Sequence, residues 1–172
     1  MTDCNCPNGT IPPIFPRRDG SPFVAQNAVT IEGVVENIGF YPNISISDFR
    51  CVRMIDDGYP AEQVANALVS AVISVNEDLA TWLCQSGCDY DTLDGVPACK
   101  IGGESLKVSA YRTAVYAKAC VVLYRRLWSP ADSTARQQSQ EQIGEQIANL
   151  EAERFNALQL ITGQRKNNVA VL

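Results

Sequence analysis

The sequence contains no histidine in its 172 residues. Histidine is the commonest general base in enzymes, the usual activator of a catalytic nucleophile and the commonest metal ligand. A chain without it lacks the usual parts of hydrolytic and metal-dependent active sites. We therefore expect a protein that is not an enzyme, with no catalytic residue, no metal site and no cofactor.

Long apolar runs and a basic leader are also missing. No uninterrupted apolar run reaches the roughly 18 residues expected of a membrane-spanning helix. The first residues, MTDCNCPNGTIPP, have neither the basic start nor the apolar stretch of a secretory signal peptide. We expect a protein that is made in a cytoplasm and has no membrane partner.

Positive charge is scarce. The chain has 14 Lys and Arg against 19 Asp and Glu, a net charge of −5. Affinity for nucleic acid that rests on phosphate contacts scales with the number of Lys and Arg. We therefore do not expect tight DNA binding. The hydrophobic share of 46% is ordinary for a globular protein, and the length suits one domain with extended ends.

The first part of the chain, residues 1–39, shows no helical period. Prolines and glycines interrupt each candidate element. A short extended pattern near its end includes Val34 and Val35. We interpret residues 1–39 as an extended N-terminal arm that orders against another surface, and a disordered terminus is the alternative.

Two helices are predicted after an extended lead-in at residues 40–44. The first covers about residues 48–55, capped by Ser45 or Ser47, and the second begins at Pro60 and ends near residues 85–87. The second has apolar residues at three-four spacing, as an amphipathic helix requires. Inward candidates in the first are Phe49, Val52, Met54 and Ile55, and in the second Val64, Leu68, Ala71, Val72, Val75, Leu79, Trp82 and Leu83.

A loop at residues 87–103 leads to a central helix at residues 102–128, GGESLKVSAYRTAVYAKACVVLYRRLW. The helix has an acid near its start and two arginines at its end, which suits the helix macrodipole. Its apolar face is wider than the stripe of a surface helix. We expect more than one neighbouring element to cover it.

The last helix is predicted at about residues 133–162, before Gly163. Its first third is polar on all sides, and an apolar line follows that packs on the bundle. The line consists of Ile143, Ile147, Leu150, Phe155, Leu158 and Ile161. The predicted architecture is therefore all-α, a small bundle of about four helices at residues 40–163, with the arm at 1–39 and a C-terminal tail at 164–172.

Seven cysteines are many for a cytosolic chain of this length. A zinc site usually has paired cysteines at short spacing, and only Cys84 and Cys88 have that spacing. A catalytic thiol needs a neighbouring base, and the chain has no histidine. The acidic loops do not follow the calcium-loop pattern either. Redox and zinc chemistry are therefore the weakest hypotheses.

The remaining interpretation divides the cysteines into two groups. Cys51 and Cys120 lie on apolar helix faces, and we predict that both are buried in the core. The other five lie on the arm or around the loop and are predicted to be exposed. Exposed thiols can cross-link subunits once a particle leaves a reducing cytoplasm. The candidates for inter-subunit disulfides are Cys4, Cys6, Cys84, Cys88 and Cys99.

The chain ends in a short β-prone segment that follows Asn167 and Asn168. Such a segment can add as a strand to the sheet edge of a partner. A frayed terminus is the equally weighted alternative. The four residues are Val169, Ala170, Val171 and Leu172.

The order of several short motifs resembles a known family. The motifs are FYPNI at residues 40–44, GESLKV at 103–108, RTAV at 112–115 and LYRR at 123–126. Their order and spacing, with the long last helix, resemble the head completion proteins of contractile-tailed phages. These are the L-type adaptors of the head-to-tail connector. The resemblance covers about residues 38–163.

The resemblance implies a structural virion protein at the neck, assembled in the cytoplasm of a bacterial host. Its protomers would form a homo-oligomeric ring, a dodecamer to match a portal, that retains packaged DNA and enables tail attachment. The implied partners are the portal protein, contacted through Val169 to Leu172, and a tail terminator or next connector protein, with the capsid as a further candidate. DNA would pass through the channel without sequence-specific binding. The alternative function is a small cytosolic helical protein-interaction module.

Overall fold

The computed structural model describes residues 33–56, 58–87, 89–127 and 135–163. Four α-helices form most of this part of the chain: α1 (Ile46–Arg53), α2 (Ala61–Trp82), α3 (Leu106–Leu127) and α4 (Ala135–Thr162). Four two-residue strands make two small hairpin-like pairs: β1 (Val34–Val35) with β2 (Ile44–Ser45), and β3 (Lys100–Ile101) with β4 (Glu104–Ser105). The predicted all-α bundle of about four helices is confirmed.

Helix α1 begins where the sequence places a cap. The Ser45 hydroxyl accepts the backbone N–H of Asp48 at 3.2 Å, which satisfies one of the free donors of the first turn. The helix ends at Arg53, and Met54 adopts a left-handed conformation with φ 50°. Phe49 is fully buried, as predicted.

Two inward candidates in α1 are wrong. Met54 is 91% exposed because it lies in the left-handed cap and no longer follows the helical period. Val52 is 62% exposed, because at about 100° per residue it lies roughly 90° around the helix from the midpoint between the buried Ile46 and Phe49. Ile55 packs partly against the core.

Helix α2 buries the predicted stripe against α3. The helix is followed by a π-helical turn, Leu83–Gly87, so its helical path ends where the sequence predicts. By length and composition, Ala61–Ser86 is apolar enough to cross a membrane, which the sequence pattern did not lead us to expect. The core helix of a soluble protein has the same composition. The buried residues are Val64, Ala65, Ala67, Leu68, Ala71, Val72, Val75 and Leu79.

Helix α3 is the centre of the bundle. It packs against α1, α2 and α4, so the prediction that several elements cover it is confirmed. It begins at Leu106 and not at Gly102, because residues 100–105 form the β3–β4 hairpin. Gly102 and Gly103 have φ of 61° and 86° at the turn, a conformation that glycine adopts without strain. Fully buried residues of α3 are Tyr111, Ala114, Val115, Ala117, Ala119 and Val121.

The predicted loop at residues 87–103 contains more structure than its sequence indicates. A 3-10 turn at Leu93–Gly95 buries Leu93 completely. The N–H of Leu93 donates to the carbonyl of Phe40 at 2.8 Å. The β3–β4 ladder continues into α3 through the N–H of Leu106, which donates to the carbonyl of Cys99 at 2.9 Å. The loop is therefore attached to Phe40 near its middle and to the start of α3 near its end.

Helix α4 ends at Thr162, as predicted, and Gly163 follows with φ 71°. Ile161 is fully buried, and Leu150 and Leu158 pack partly against the core. Phe155 is 57% exposed, which contradicts its predicted place in the apolar line. It lies two residues from buried Ala157, which at 100° per residue turns it to the opposite side of the helix.

The end of the predicted N-terminal arm packs on the helical domain. Val34 pairs with Ser45 and Val35 with Ile44 in an antiparallel register. The N–H of Ile46 donates to the carbonyl of Gly33 at 3.1 Å. Val35 is buried. We call residues 34–39 the arm root, and residues 1–32 lie outside the described part of the chain.

Candidate functional site

Three polar side chains join the arm root to two helices. The hydroxyl of Tyr111 donates to Oδ1 of Asn76 at 2.7 Å. Nδ2 of Asn76 donates to Oδ1 of Asn37 at 2.9 Å, and Nδ2 of Asn37 donates to the Tyr111 oxygen at 2.7 Å. The three hydrogen bonds close a ring, which we call the polar triad.

Backbone contacts fix Asn37 in this position. Its Nδ2 also donates to the carbonyl of Pro42 at 3.1 Å, and its N–H donates to Oδ1 of Asn43 at 3.0 Å. Its Oδ1 accepts the N–H of Ile38 at 2.9 Å. Asn37 therefore has partners for both side-chain atoms, as a polar group in a partly buried site requires.

Aromatic packing surrounds the polar triad. The rings of Tyr41 and Tyr111 are stacked with centres 4.7 Å apart, and Phe40 meets Tyr41 edge-on at 5.0 Å. Burial raises the pKa of Tyr41 and of Tyr111 well above the ordinary value, although the hydrogen bond to Asn37 opposes the rise at Tyr111. Both phenols stay protonated at neutral pH. Tyr41 contributes ring packing, and Tyr111 contributes both ring packing and hydrogen bonds.

Ion pairs link α4 to the other helices. Glu151 lies 3.1 Å from Arg154, 3.6 Å from Lys118 of α3 and 3.7 Å from Arg125 of α3. Arg154 also pairs with Asp78 of α2. The Glu151 carboxylate thus pairs with three cations, and one of these, Arg154, also pairs with the Asp78 carboxylate. The network joins α2, α3 and α4 along one seam.

A bidentate ion pair joins α1 to α4. Arg53 donates to both carboxylate oxygens of Glu153, at 2.8 and 3.0 Å. Burial opposes the charge of Arg53, but the hydrogen bonds and charge of Glu153 outweigh it, so the pKa of Arg53 is raised. The exposed Val52 and Met54 flank this arginine. They are apolar side chains held at a fixed place on the surface.

A short series of contacts lies at the other end of the bundle, where α2 and α4 end and α3 begins. Lys107 donates to the carbonyl of Ile161 at 3.0 Å and lies over the ring of Trp82 at 4.9 Å. The rings of Trp82 and Phe40 are 6.4 Å apart. Burial lowers the pKa of Lys107.

An open groove of about 430 Å³ lies at this same end. Its walls come from three parts of the chain: residues 39–42, the 3-10 turn with the preceding Thr92, and the start of the β4–α3 segment. We call it the α3 groove. Its apolar lining is formed by Phe40, Tyr41, Pro42, Leu93 and Val108, and its polar lining by Thr92, Asp94 and Glu104.

The described cysteines do not follow the predicted division. Cys120 is buried, as predicted, and burial raises the pKa of its thiol to about 11. Cys51 is exposed, which contradicts its predicted place in the core. It lies two residues from Phe49, so on a helix its side chain turns away from the buried face. Cys99 is exposed, as predicted, and Cys84 is half-buried.

Several predicted site residues cannot be placed. Cys4, Cys6, Cys88 and the tail residues Val169, Ala170, Val171 and Leu172 lie outside the described residues. Their roles stay predictions. Within residues 33–56, 58–87, 89–127 and 135–163, no group of three or more His, Cys, Asp or Glu is arranged to hold a metal ion.

Comparison with known proteins decides the family. Residues 35–172 match the family model described as Phage head completion protein (GPL). The match covers most of the chain, including all four helices. This chain belongs to the phage head completion protein family. The resemblance seen in the sequence motifs is therefore confirmed.

Two relatives support the assignment. The chain is 29% identical over 130 residues to the head completion/stabilization protein of Escherichia phage P2, an alignment that covers 72% of this chain and 76% of the relative. It is 27% identical over 141 residues to the probable head completion/stabilization protein of Haemophilus phage HP1, covering 81% and 92%. No solved structure matches the chain. The family places this protein among the structural components of the phage head.

Two features of the tertiary structure were not predicted from the sequence. The polar triad joins residues separated by 35 to 74 positions along the chain, and no local sequence pattern predicts a contact over such a separation. The α3 groove likewise depends on three distant segments. The sequence signal that came nearest was the FYPNI motif, which supplies one wall of the groove.

Proposed function

We propose that the protein is the adaptor protomer of a ring between the portal and the next connector or tail terminator in the virion neck. In this role it retains packaged DNA and gives the tail a surface to join. It assembles in the host cytoplasm and stays in the virion. The observation that carries the proposal is the family match, which runs from Val35 through Leu172 and so includes the tail.

The surface of the described domain is consistent with such a role. Ion pairs within the protomer join α4 to α1 and to α2. Large apolar side chains remain exposed on several elements and are candidates for contacts with neighbours. They are Val34, Val52, Met54, Ile73, Tyr90, Ile101, Phe155 and Leu160.

The net charge of −5 agrees with a channel that lets DNA pass. A strongly basic lining would hold the phosphate backbone and slow its ejection. In this proposal the tail residues Val169 to Leu172 contact the portal protein. The exposed Cys99, with Cys84 and the cysteines outside the described residues, is a candidate for cross-links between subunits.

Native mass spectrometry of the full chain, with and without purified portal protein, tests the proposal. We expect ring-sized oligomers that form, or become more abundant, when the portal is present. A chain that stays monomeric with the portal would overturn the adaptor role and favour a monomeric interaction module. A non-reducing gel of assembled particles tests the cross-links separately, since only monomer bands would exclude them.

A further inference from the structure

Helix α4, which the C-terminal tail follows in the sequence, ends at the same end of the bundle as the α3 groove. Helix α4 ends at Thr162, and the carbonyl of Ile161 accepts a hydrogen bond from Lys107, the residue before the groove-lining Val108. Lys107 lies over Trp82, whose ring is 6.4 Å from that of Phe40, another lining residue. The end of α4 and the groove are therefore at the same end of the bundle.

The tail is long enough to reach the groove. Residues 164–172 are nine residues with the sequence QRKNNVAVL. An extended chain spans roughly 3.3 Å per residue, so this segment reaches about 30 Å. Each contact between Ile161 and Phe40 in the series described above is shorter than 7 Å.

The chemistry of the tail is complementary to that of the groove. The tail has two basic residues, Arg165 and Lys166, and ends in four apolar ones. The charged residues among the described lining are both acidic, Asp94 and Glu104, and the remaining lining is mainly apolar. An apolar cleft with a few charged groups at its edge is the usual form of a peptide or ligand site.

Both acidic residues already have a partner outside the lining. Glu104 pairs with Arg112 at 2.6 Å, and Asp94 pairs with Lys100 at 3.8 Å. The second distance is at the limit of an ion pair, and both its side chains are more than half exposed. Asp94 is therefore the carboxylate most open to a second cation. Tyr41, which lines the groove, also has a buried hydroxyl with no hydrogen-bond partner among the described residues.

We propose that in the free protomer the C-terminal tail of the chain docks in its own α3 groove. Val169 to Leu172 pack on the apolar lining, and Arg165 and Lys166 face Asp94 and Glu104. The tail competes well for this site because it is tethered nearby, at an effective concentration in the millimolar range. If the tail also contacts the portal, as proposed above, the portal must displace it from the groove.

Photo-crosslinking in the full chain tests the docking in the absence of portal. Leu172 is replaced by the photoreactive residue benzoyl-phenylalanine, and cross-linked peptides are mapped by mass spectrometry. We expect cross-links within one monomer to residues 39–42, 92–94 or 103–108. Cross-links elsewhere in the monomer, or none, would overturn the proposal. Cross-linked dimers would overturn it too, since they show docking between copies.

Charge variants provide the matched control. Asp94→Lys, at an exposed position of the lining, should reduce the cross-link yield at least fivefold, and Lys166→Asp in the same chain should restore part of it. Glu62→Lys makes the same charge change at the opposite end of α2 and should leave the yield unchanged. Equal cross-link yields in Asp94→Lys and Glu62→Lys would show that the tail does not dock in the α3 groove.

Adding portal protein separates the two proposals. Loss of the cross-links on addition is expected if the tail moves to the portal. Cross-links that form without the portal and persist in its presence would support docking of the tail in the groove. They would contradict the proposed contact between the tail and the portal. Absence of cross-links without portal contradicts the docking alone.

Discussion

Among single residues, Asn37, Asn76 and Tyr111 determine how the arm root joins the domain. Each donates one hydrogen bond to the next, with donor–acceptor distances of 2.7 to 2.9 Å. Because Tyr111 is fully buried and stacked on Tyr41, removing one member leaves polar groups of the others without a partner. An unsatisfied buried polar group costs more than the net value of the bond that is lost.

Tyr111→Phe should therefore destabilise the domain by roughly 1–3 kcal/mol. The variant keeps the ring and removes only the hydroxyl that bonds both asparagines. The free energy of unfolding is measured by urea denaturation. Tyr124→Phe, at a half-buried position of the same helix, is the control and should change stability little. A Tyr111→Phe variant as stable as the control would show that the triad contributes nothing.

The thiols should differ in reactivity. Cys51 and Cys99 are exposed and should be alkylated within minutes in the native protein, while Cys120 should react only after unfolding. Burial keeps reagents away from Cys120, and it raises the pKa of this thiol to about 11, so little thiolate forms at neutral pH. Peptide mapping after brief treatment with N-ethylmaleimide measures each site. Rapid native labelling of Cys120 would contradict its burial.

Alkaline conditions should weaken the fold. Burial raises the pKa of Cys120 from 9.0 to about 11, and raises those of Tyr41 and Tyr111. Between the unfolded and folded pKa values, the unfolded chain loses protons that the folded chain keeps, so stability falls as pH rises. The loss begins near pH 9 and is absent below it. A Tm that stays constant from pH 8 to pH 11 would contradict this linkage.

At the scale of elements, α3 is the scaffold on which the other helices pack. It contacts α1, α2 and α4, and its apolar residues are buried on nearly all sides. Its ends are set by local chemistry: a glycine turn leads in at residues 102–103, and Arg125 and Arg126 lie in the last turn, where positive charge favours the helix dipole.

Val115→Asp should unfold the protomer or destabilise it by more than about 4 kcal/mol, because it buries a carboxylate without a partner. Val115 is fully buried at the middle of α3. Val52→Asp introduces the same side chain at an exposed position of α1 and is the matched control. Circular dichroism with thermal melting compares them. Equal melting curves for the two variants would mean that α3 does not form the core.

For the whole molecule, the proposed function assigns separate roles to the folded domain and the tail. The described core is closed by α4 up to Ile161, and the tail begins after Gly163. The contacts described between α4 and the bundle involve residues that precede the tail. In the proposed function, attachment in the virion depends on what the tail and the exposed apolar side chains contact.

Deletion of residues 169–172 should leave the protomer folded and weaken attachment to the portal. Co-sedimentation with portal protein measures attachment, and complementation of a phage that lacks the gene measures head completion. A chain in which Val169 to Leu172 are each replaced by Ser has the same length and is the control for side-chain contribution. Normal head completion by the chain that lacks residues 169–172 would show that these residues are not needed for portal contact.

Local pattern was sufficient for the helices. Three-four spacing of apolar residues placed α2 and its buried stripe, Ser45 marked the start of α1, and Gly163 marked the end of α4. These features depend on neighbours within one or two helical turns, so a sequence contains them directly. The order of short motifs was also sufficient for the family.

Tertiary structure decided what depends on distant segments. Cys51 and Phe155 lie on apolar-looking patterns but face outward, because the position of a neighbouring helix determines which side of an element is covered. The sequence could not show that Asn37 meets Asn76 and Tyr111, or that residues 39–42, 92–94 and 103–108 enclose one groove. The sequence by itself determined the helices and the family, because both are local patterns. Only the packing of the bundle decided which surfaces remain open to a partner.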